Sequence, residues 1–236
     1  MMGKISGLLT AKVRRRILSA STYMKLKPGI RSLALDQEIA EYLKEEKSAV
    51  LDYMTETNAT WQLMATPASG IKQVEDLGDK VIGLAFNSVT QYLTIQVISS
   101  HSIKNRTYGS QINDIFIRMQ MLRNKQLDAV WTSEPQTTQA KILGNKEIYN
   151  STKQDFTPGA IVFVNAPKVE KRRAFEDAYN KAVDMINKHP IQYFAPLIKK
   201  YMRVDDKVIS ALPNMVYKRV TPPRQRDIIK AQNAIM

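Results

Sequence analysis

The chain has 236 residues, 44% of them hydrophobic and 24% charged, with no cysteine and a formal net charge of +13. Such a length buries a sizeable core, as one large domain or two small ones, and the lack of cysteine excludes disulfide scaffolds, thiol catalysis and cysteine-based metal sites. A basic chain can bind nucleic acid or an anionic membrane surface, but here the cations alternate with acids along helical patterns such as "EKRRAFEDAYNKAVDMINK", which read as solvated helix faces, and no zinc-finger spacing or aromatic RNA-binding signature is present.

No apolar run is long enough to span a bilayer. Near the N-terminus, Arg14, Arg15 and Arg16 stand where the apolar core of an export signal would be. Residues 37–47, "QEIAEYLKEEK", are expected to form an amphipathic helix with Ile39, Ala40 and Leu43 on one face. "SAVLDYM" and "TWQLMAT" read as strands, and "TPASGIKQVEDLGDK" as turn-rich chain broken by Pro67 and Gly70. The run from Val81 to Phe86 predicts a buried strand. A helix follows, with Tyr92, Ile95, Val97 and Ile98 as its apolar stripe. Residues 112–125 predict another helix, "QLDAVW" a strand, and "EPQTTQAKIL" a helix with Pro135 near its first turn, where a missing N–H costs nothing. "GAIVFVN" is a further strand, ahead of a long helix over 168–188 and a helical tail broken by prolines.

Alternating strands and helices argue for α/β layering with a mainly parallel sheet, in which ligands bind beyond the carboxyl ends of the strands. Two strand–helix junctions open on that edge. At the first, Asn87, Ser88, Thr90 and Gln91 stand at a helix start that suits a sulfonate, phosphate or carboxylate. Asn87 or Ser88 could equally serve as an ordinary N-cap. At the second, Trp131 could stack on a ring or pack in the core, Thr132 follows it, and Glu134 could accept a hydrogen bond from a ligand amine or favour its own helix start. Asp128 reads as structural, beside the strand. His101 and His189 have no metal-ligand spacing, and no phosphate-binding loop, dinucleotide fingerprint or nucleophile elbow occurs. No cofactor and no enzymatic activity are expected.

"DLGDKVIGLAFNSVTQYL", "MLRNKQLDAVWTSEP" and "PGAIVFVNAPKVEKRRAFEDAYNKAVDMINKHP", in that order, resemble segments of the solute-binding proteins of ABC importers of the nitrate/sulfonate/taurine and thiamine-precursor type. The resemblance implies an α/β, two-lobed, periplasmic binding protein-like (type II) fold with parallel-rich sheets. Residues 1–66 would be what remains of the first lobe, 67–160 the second lobe, and 161–236 a return strand and C-terminal helices packing on both. It also implies a small anionic or heteroaromatic ligand, a membrane permease as partner, no nucleic acid, and an extracytoplasmic location. Residues 87–91 favour a sulfonate, whereas Trp131 and Glu134 favour a pyrimidine. The resemblance places Ser19, Ser21 and Thr22 at a first-lobe strand end, as further ligand candidates.

Two departures qualify it. Arg14 or Arg31 stands where the family has an aspartate, and the expected first lobe is shorter than the family's. A monomer is expected, with self-association if the first lobe is truncated. A eukaryotic pyrimidine synthase related to the family depends on a cysteine-rich motif that this chain lacks. The alternatives are an effector-binding domain related to LysR-type regulators, for which residues 1–35 offer no convincing helix-turn-helix, or a non-transporting remnant acting through its basic surface.

Overall fold

The computed structural model describes residues 30–34, 54–57, 60–86, 88–153, 159–163, 169–222, 224–227 and 229. The helix expected over 37–47 lies outside them, as do Asn87, Ser19, Ser21 and Thr22. Strands β1 (Ile30–Ala34) and β2 (Met54–Thr57) flank a later strand in an all-antiparallel three-stranded sheet. Next in the chain come β3 (Gln62–Ala65), β4 (Val81–Leu84), β5 (Tyr108–Gln111), β6 (Ala129–Thr132) and β7 (Lys146–Asn150), which form a second sheet in the order β5-β4-β6-β3-β7. Strand β8 (Gly159–Phe163) then returns to the first sheet, between β1 and β2. The chain thus passes between the sheets after Thr57 and again after Asn150.

In the five-stranded sheet β4 is parallel to both β5 and β6, whereas β3 runs antiparallel to β6 and β7. Parallel pairing is therefore confined to the β5–β4–β6 half, and the sheet is mixed. The two strands that sequence pattern did not signal, β5 and β7, are its edges. β5, "YGSQ", has no buried residue, so it carries no apolar run.

Helices cover both faces. Helix α1 (Val89–Ser100) packs Val89, Leu93 and Val97 onto Leu63, Ile82, Leu84 and Trp131. The expected stripe is shifted: Ile95 is 53% exposed, and the buried positions follow i, i+4, i+8 from Val89. Apolar residues surround this helix, so pattern alone could not choose its inner face. Helices α2 (Ile115–Arg123) and α3 (Gln136–Ile142) cover the opposite face, where Met119, Leu122 and Ala140 meet Met64, Leu127 and Val130. A Cβ at Gly83 would stand 2.6 Å from Leu127 Cδ1 and 3.0 Å from Val130 Cγ1, so these two side chains fill the space over β4 and would have to shift for a larger residue. Gly144, two residues past α3, has φ of 84°, a left-handed turn that glycine adopts without strain.

Helix α4 (Val169–Lys188) has Val183 as its one buried residue. Its polar positions 180, 184 and 187 share a face and hold the chain that follows the last helices. Asn187 Nδ2 donates to the Tyr217 carbonyl at 2.8 Å, and Tyr217 N–H returns a bond to Asn187 Oδ1 at 2.9 Å. Arg219 makes a two-pronged contact with Asp184 at 2.9 and 2.6 Å, and Val220 N–H donates to Asn180 Oδ1 at 2.9 Å. Helices α5 (Ala195–Met202) and α6 (Asp206–Ala211) bring Ala195, Ile198, Val204, Val208 and Ile209 together with Ile142 of α3. No described helix is long and apolar enough to cross a membrane.

Candidate functional site

Adjacent parallel strands whose following helices leave toward opposite faces open a crevice between their carboxyl ends, and open α/β sheets bind ligands there. β4 and β6 are such a pair. Their ladder sets Ile82 opposite Ala129 and Gly83 opposite Val130. β4 feeds α1 on one face, and β6 feeds α3 on the other. Both sequence-predicted junctions therefore stand at one edge of one sheet.

On the β4 side, Ser88 is the N-cap of α1. Its hydroxyl donates to the Ala85 carbonyl at 2.7 Å and accepts Thr90 N–H at 3.2 Å. The Thr90 hydroxyl lies 2.8 Å from Ser88 Oγ and accepts Ala85 N–H at 3.0 Å. The N–H groups of Gln91 and Tyr92 both donate to the Ser88 carbonyl at 3.1 Å. Capping thus occupies the donors of Thr90, Gln91 and Tyr92, and the positive end of the helix dipole remains. Thr90 is buried, while Ser88 and Gln91 are half-buried.

On the β6 side, side chains alternate between the faces. Trp131 is fully buried with the α1 face. Its ring stands edge-on to Tyr149 at 6.1 Å, and its Nε1–H donates to Thr94 Oγ1 at 2.7 Å. Thr132 points to the other face and is also fully buried, its hydroxyl 2.8 Å from Thr137 Oγ1, which donates to Gln62 Oε1 at 2.9 Å. These three residues tie β3, β6 and α3 together. Ser133 and Glu134, the next two residues, are half-buried at the rim. Glu134 Oε2 accepts Thr138 N–H at 3.1 Å in the first turn of α3, and the Glu134–Pro135 peptide is cis. Asp128 ties the strands at their other end, accepting Val81 N–H at 2.8 Å.

One residue at this edge escaped sequence reading. Arg118 lies in the first turn of α2, just beyond the N-cap Asp114 and close to the carboxyl end of β5. It is 4% exposed. Its Nη1 donates to the Trp131 carbonyl at 3.1 Å, and its Nε has no hydrogen-bond partner. Burial lowers its pKa to about 10, against the opposing pull of Asp114, so the guanidinium remains charged at neutral pH. The sequence signal was available: Arg118 shares the inner stripe of α2 with Met119 and Leu122, where a cation is out of place.

Tyr217, from the C-terminal part of the chain, approaches the same rim. Burial raises the Tyr217 phenol above its ordinary value, helped by neighbouring Tyr179 and by the Glu134 carboxylate. On the α1 side, Tyr92 is raised by burial and by Asp227, which accepts from Arg224 Nε at 2.7 Å. His101 Nδ1 lies 2.9 Å from the Val97 carbonyl, and His189 stacks on Tyr193 at 4.3 Å. Among the described residues no group of three or more His, Asp or Glu side chains could hold a metal ion.

No protein-family model matches the chain, and no curated protein matches it in sequence. Solved structures do share its fold. The periplasmic aliphatic sulphonate binding protein SsuA from Escherichia coli aligns with a TM-score of 0.69 at 16% identity, over 93% of this chain and 72% of that one. A protein from Bordetella bronchiseptica RB50 aligns with a TM-score of 0.70 at 18% identity, over 94% of this chain and 74% of that one. The alkanesulfonate-binding protein SsuA from Xanthomonas axonopodis pv. citri, bound to MOPS, aligns with a TM-score of 0.61 at 14% identity, over 92% and 76% of the two chains. The fold is that of the type II periplasmic binding proteins.

Proposed function

We propose that the protein is an extracytoplasmic solute receptor of an ABC importer, that it binds a small sulfonate-like anion, and that it is not an enzyme. The observation that carries this reading is the crevice between the carboxyl ends of β4 and β6. The anionic head would face the start of α1 at Ser88 and Gln91, where the helix dipole favours negative charge. Glu134 and Tyr217 would receive the polar end of the solute. The ring of Trp131, fully buried, offers no stacking surface, which favours the anion over a heteroaromatic solute.

In this reading the five-stranded and three-stranded sheets are the cores of two lobes. Contacts from both to one solute raise the population of a closed state, and that state is what a membrane permease would recognise. Solved structures of the same fold that are named as sulfonate-binding proteins support the choice of ligand class.

A thermal-shift series tests the proposal. A solute bound only by the folded state stabilises it by mass action, by about 2.7 kcal/mol at a hundred times its dissociation constant, and so raises the melting temperature. Ethanesulfonate, taurine or MOPS should raise it, and a pyrimidine should not. If no small anion moves the melting temperature, the choice of an anion fails, and if no small solute of any charge moves it, the receptor reading fails.

A further inference from the structure

We propose that Arg118 is the buried counter-charge that makes this crevice prefer anions, a positioning residue that acts on the ligand through the strand end it caps. The inference rests on the receptor reading and deepens it. The carboxyl edge of a parallel pair presents carbonyl oxygens, which repel an anion. Here the ladder between β4 and β6 ends at Gly83 opposite Val130. One step beyond, neither strand offers the other its usual partner. Ala85 N–H turns to the Thr90 hydroxyl, and the Trp131 carbonyl accepts from Arg118 Nη1 at 3.1 Å. The guanidinium thereby neutralises a carbonyl at the mouth of the crevice and brings a full positive charge to it.

Three further observations point the same way. A guanidinium that is 4% exposed, with its Nε–H unmatched, costs free energy unless an anion offsets it. No described carboxylate lies within ion-pairing distance of it. Asp114, the closest acid in the chain, spends one carboxylate oxygen on Phe116 N–H and Ile117 N–H at 2.7 and 3.2 Å. Second, the donors of Thr90, Gln91 and Tyr92 are spent on Ser88, so the helix start supplies a dipole but few free N–H groups. Third, the cation on the Tyr92 side, Arg224, is matched by Asp227 at 2.7 Å. Glu134 follows the same strand end, three residues past Trp131.

The test compares ethanesulfonate with dimethyl sulfone, a neutral molecule with the same two-oxygen sulfur group, by titration calorimetry on the full chain. The wild type should bind the sulfonate and not the sulfone. Arg118→Lys keeps the charge and should stay within a few-fold of wild type. Arg118→Met keeps the apolar stem and should weaken sulfonate binding ~10–100-fold, the effect of removing one charge a few ångströms from an anion at intermediate dielectric.

Unchanged sulfonate affinity in Arg118→Met overturns the inference. So does an equal loss of affinity in Arg118→Lys and Arg118→Met, which would mark a packing role. Should Arg118→Met fail to fold, the ¹⁵N resonance of Arg118 Nε in the wild type decides: it should move on adding ethanesulfonate, and a fixed resonance at saturation overturns the inference. A wild type that binds only neutral or cationic solutes defeats the counter-charge and leaves the receptor reading in place. One that binds none of them defeats both.

Discussion

The two faces of the five-stranded sheet solve the same problem differently. The α1 face is closed mainly by apolar packing, with Trp131 as its largest side chain and the indole N–H satisfied by Thr94. The α2–α3 face is apolar only in its middle, at Met64, Met119, Leu122, Leu127 and Val130. Toward the carboxyl edge it turns polar, with Gln62, Thr132, Thr137 and Arg118 all buried. Buried polar groups add little net stability but are costly to leave unpartnered. A face that carries them next to the crevice therefore gains a fixed geometry there rather than stability. The first face anchors the sheet, and the second shapes the site.

The largest effect should come from the anchoring face. Trp131→Ala leaves a cavity and should cost ~3–5 kcal/mol, seen as a lower urea midpoint with an unchanged slope. A loss below about 1 kcal/mol would mean that Trp131 is not the anchor. Gly83→Ala probes the packing of Leu127 and Val130 over β4. Its methyl would meet Leu127 Cδ1 at 2.6 Å, so we expect a loss of about 1–3 kcal/mol from overpacking in the same assay. Thr137→Val removes the donor to Gln62 Oε1 and a hydroxyl next to Thr132. It should cost about 1–3 kcal/mol for the stranded groups, whereas Thr137→Ser should restore most of that.

At the rim the effects are smaller and separate two roles. Glu134→Gln should cost about 0.3–1 kcal/mol through the start of α3, because the carboxylate accepts Thr138 N–H at 3.1 Å. A fall in sulfonate-panel affinity without that loss would place Glu134 on the ligand instead. The smallest effect is a matter of pH. Burial raises the Tyr217 and Tyr179 phenols in the folded state. Above their ordinary value of 10.0 the unfolded chain ionises first, so this contribution is complete below that pH and is lost as pH climbs through the folded values. Unfolding midpoints should fall in that alkaline range, and Tyr217→Phe should flatten the fall. An equally steep fall in the variant would assign it to other groups.

Periodicity located the long and central elements because their burial is one-sided or complete. β4, β6, α2 and α4 all stand where apolar runs or stripes announced them, and the parallel pairing of β4 with β6 follows from the strand–helix alternation between them. β5 and β7 left no such trace. An edge strand has a neighbour on one side only, and its polar residues satisfy the solvent as well as a ladder does. The candidate site was half legible. That Ser88 caps a helix and that Glu134 sits at a helix start are local facts, fixed within four residues of chain. The destinations of Trp131 and Thr132 are not local. Adjacent residues of a strand point to opposite faces, and what each face holds depends on α1, α3 and β3, which arrive from elsewhere in the sequence.

What the sequence by itself determined is therefore the alternation of strand and helix, the caps and turns, and the placing of two strand–helix junctions at one sheet edge. These follow from short-range sterics, from hydrogen bonding and from the pattern of apolar residues. Only the tertiary structure decided which helix covers which face, and so where the crevice opens. It withdrew the Trp131 ring into the core and brought Arg118 from α2 to the end of β6, thirteen residues away in sequence. Burial, and the matching of one buried charge to one carbonyl, depend on the assembled sheet, and no window of the sequence contains both partners' surroundings.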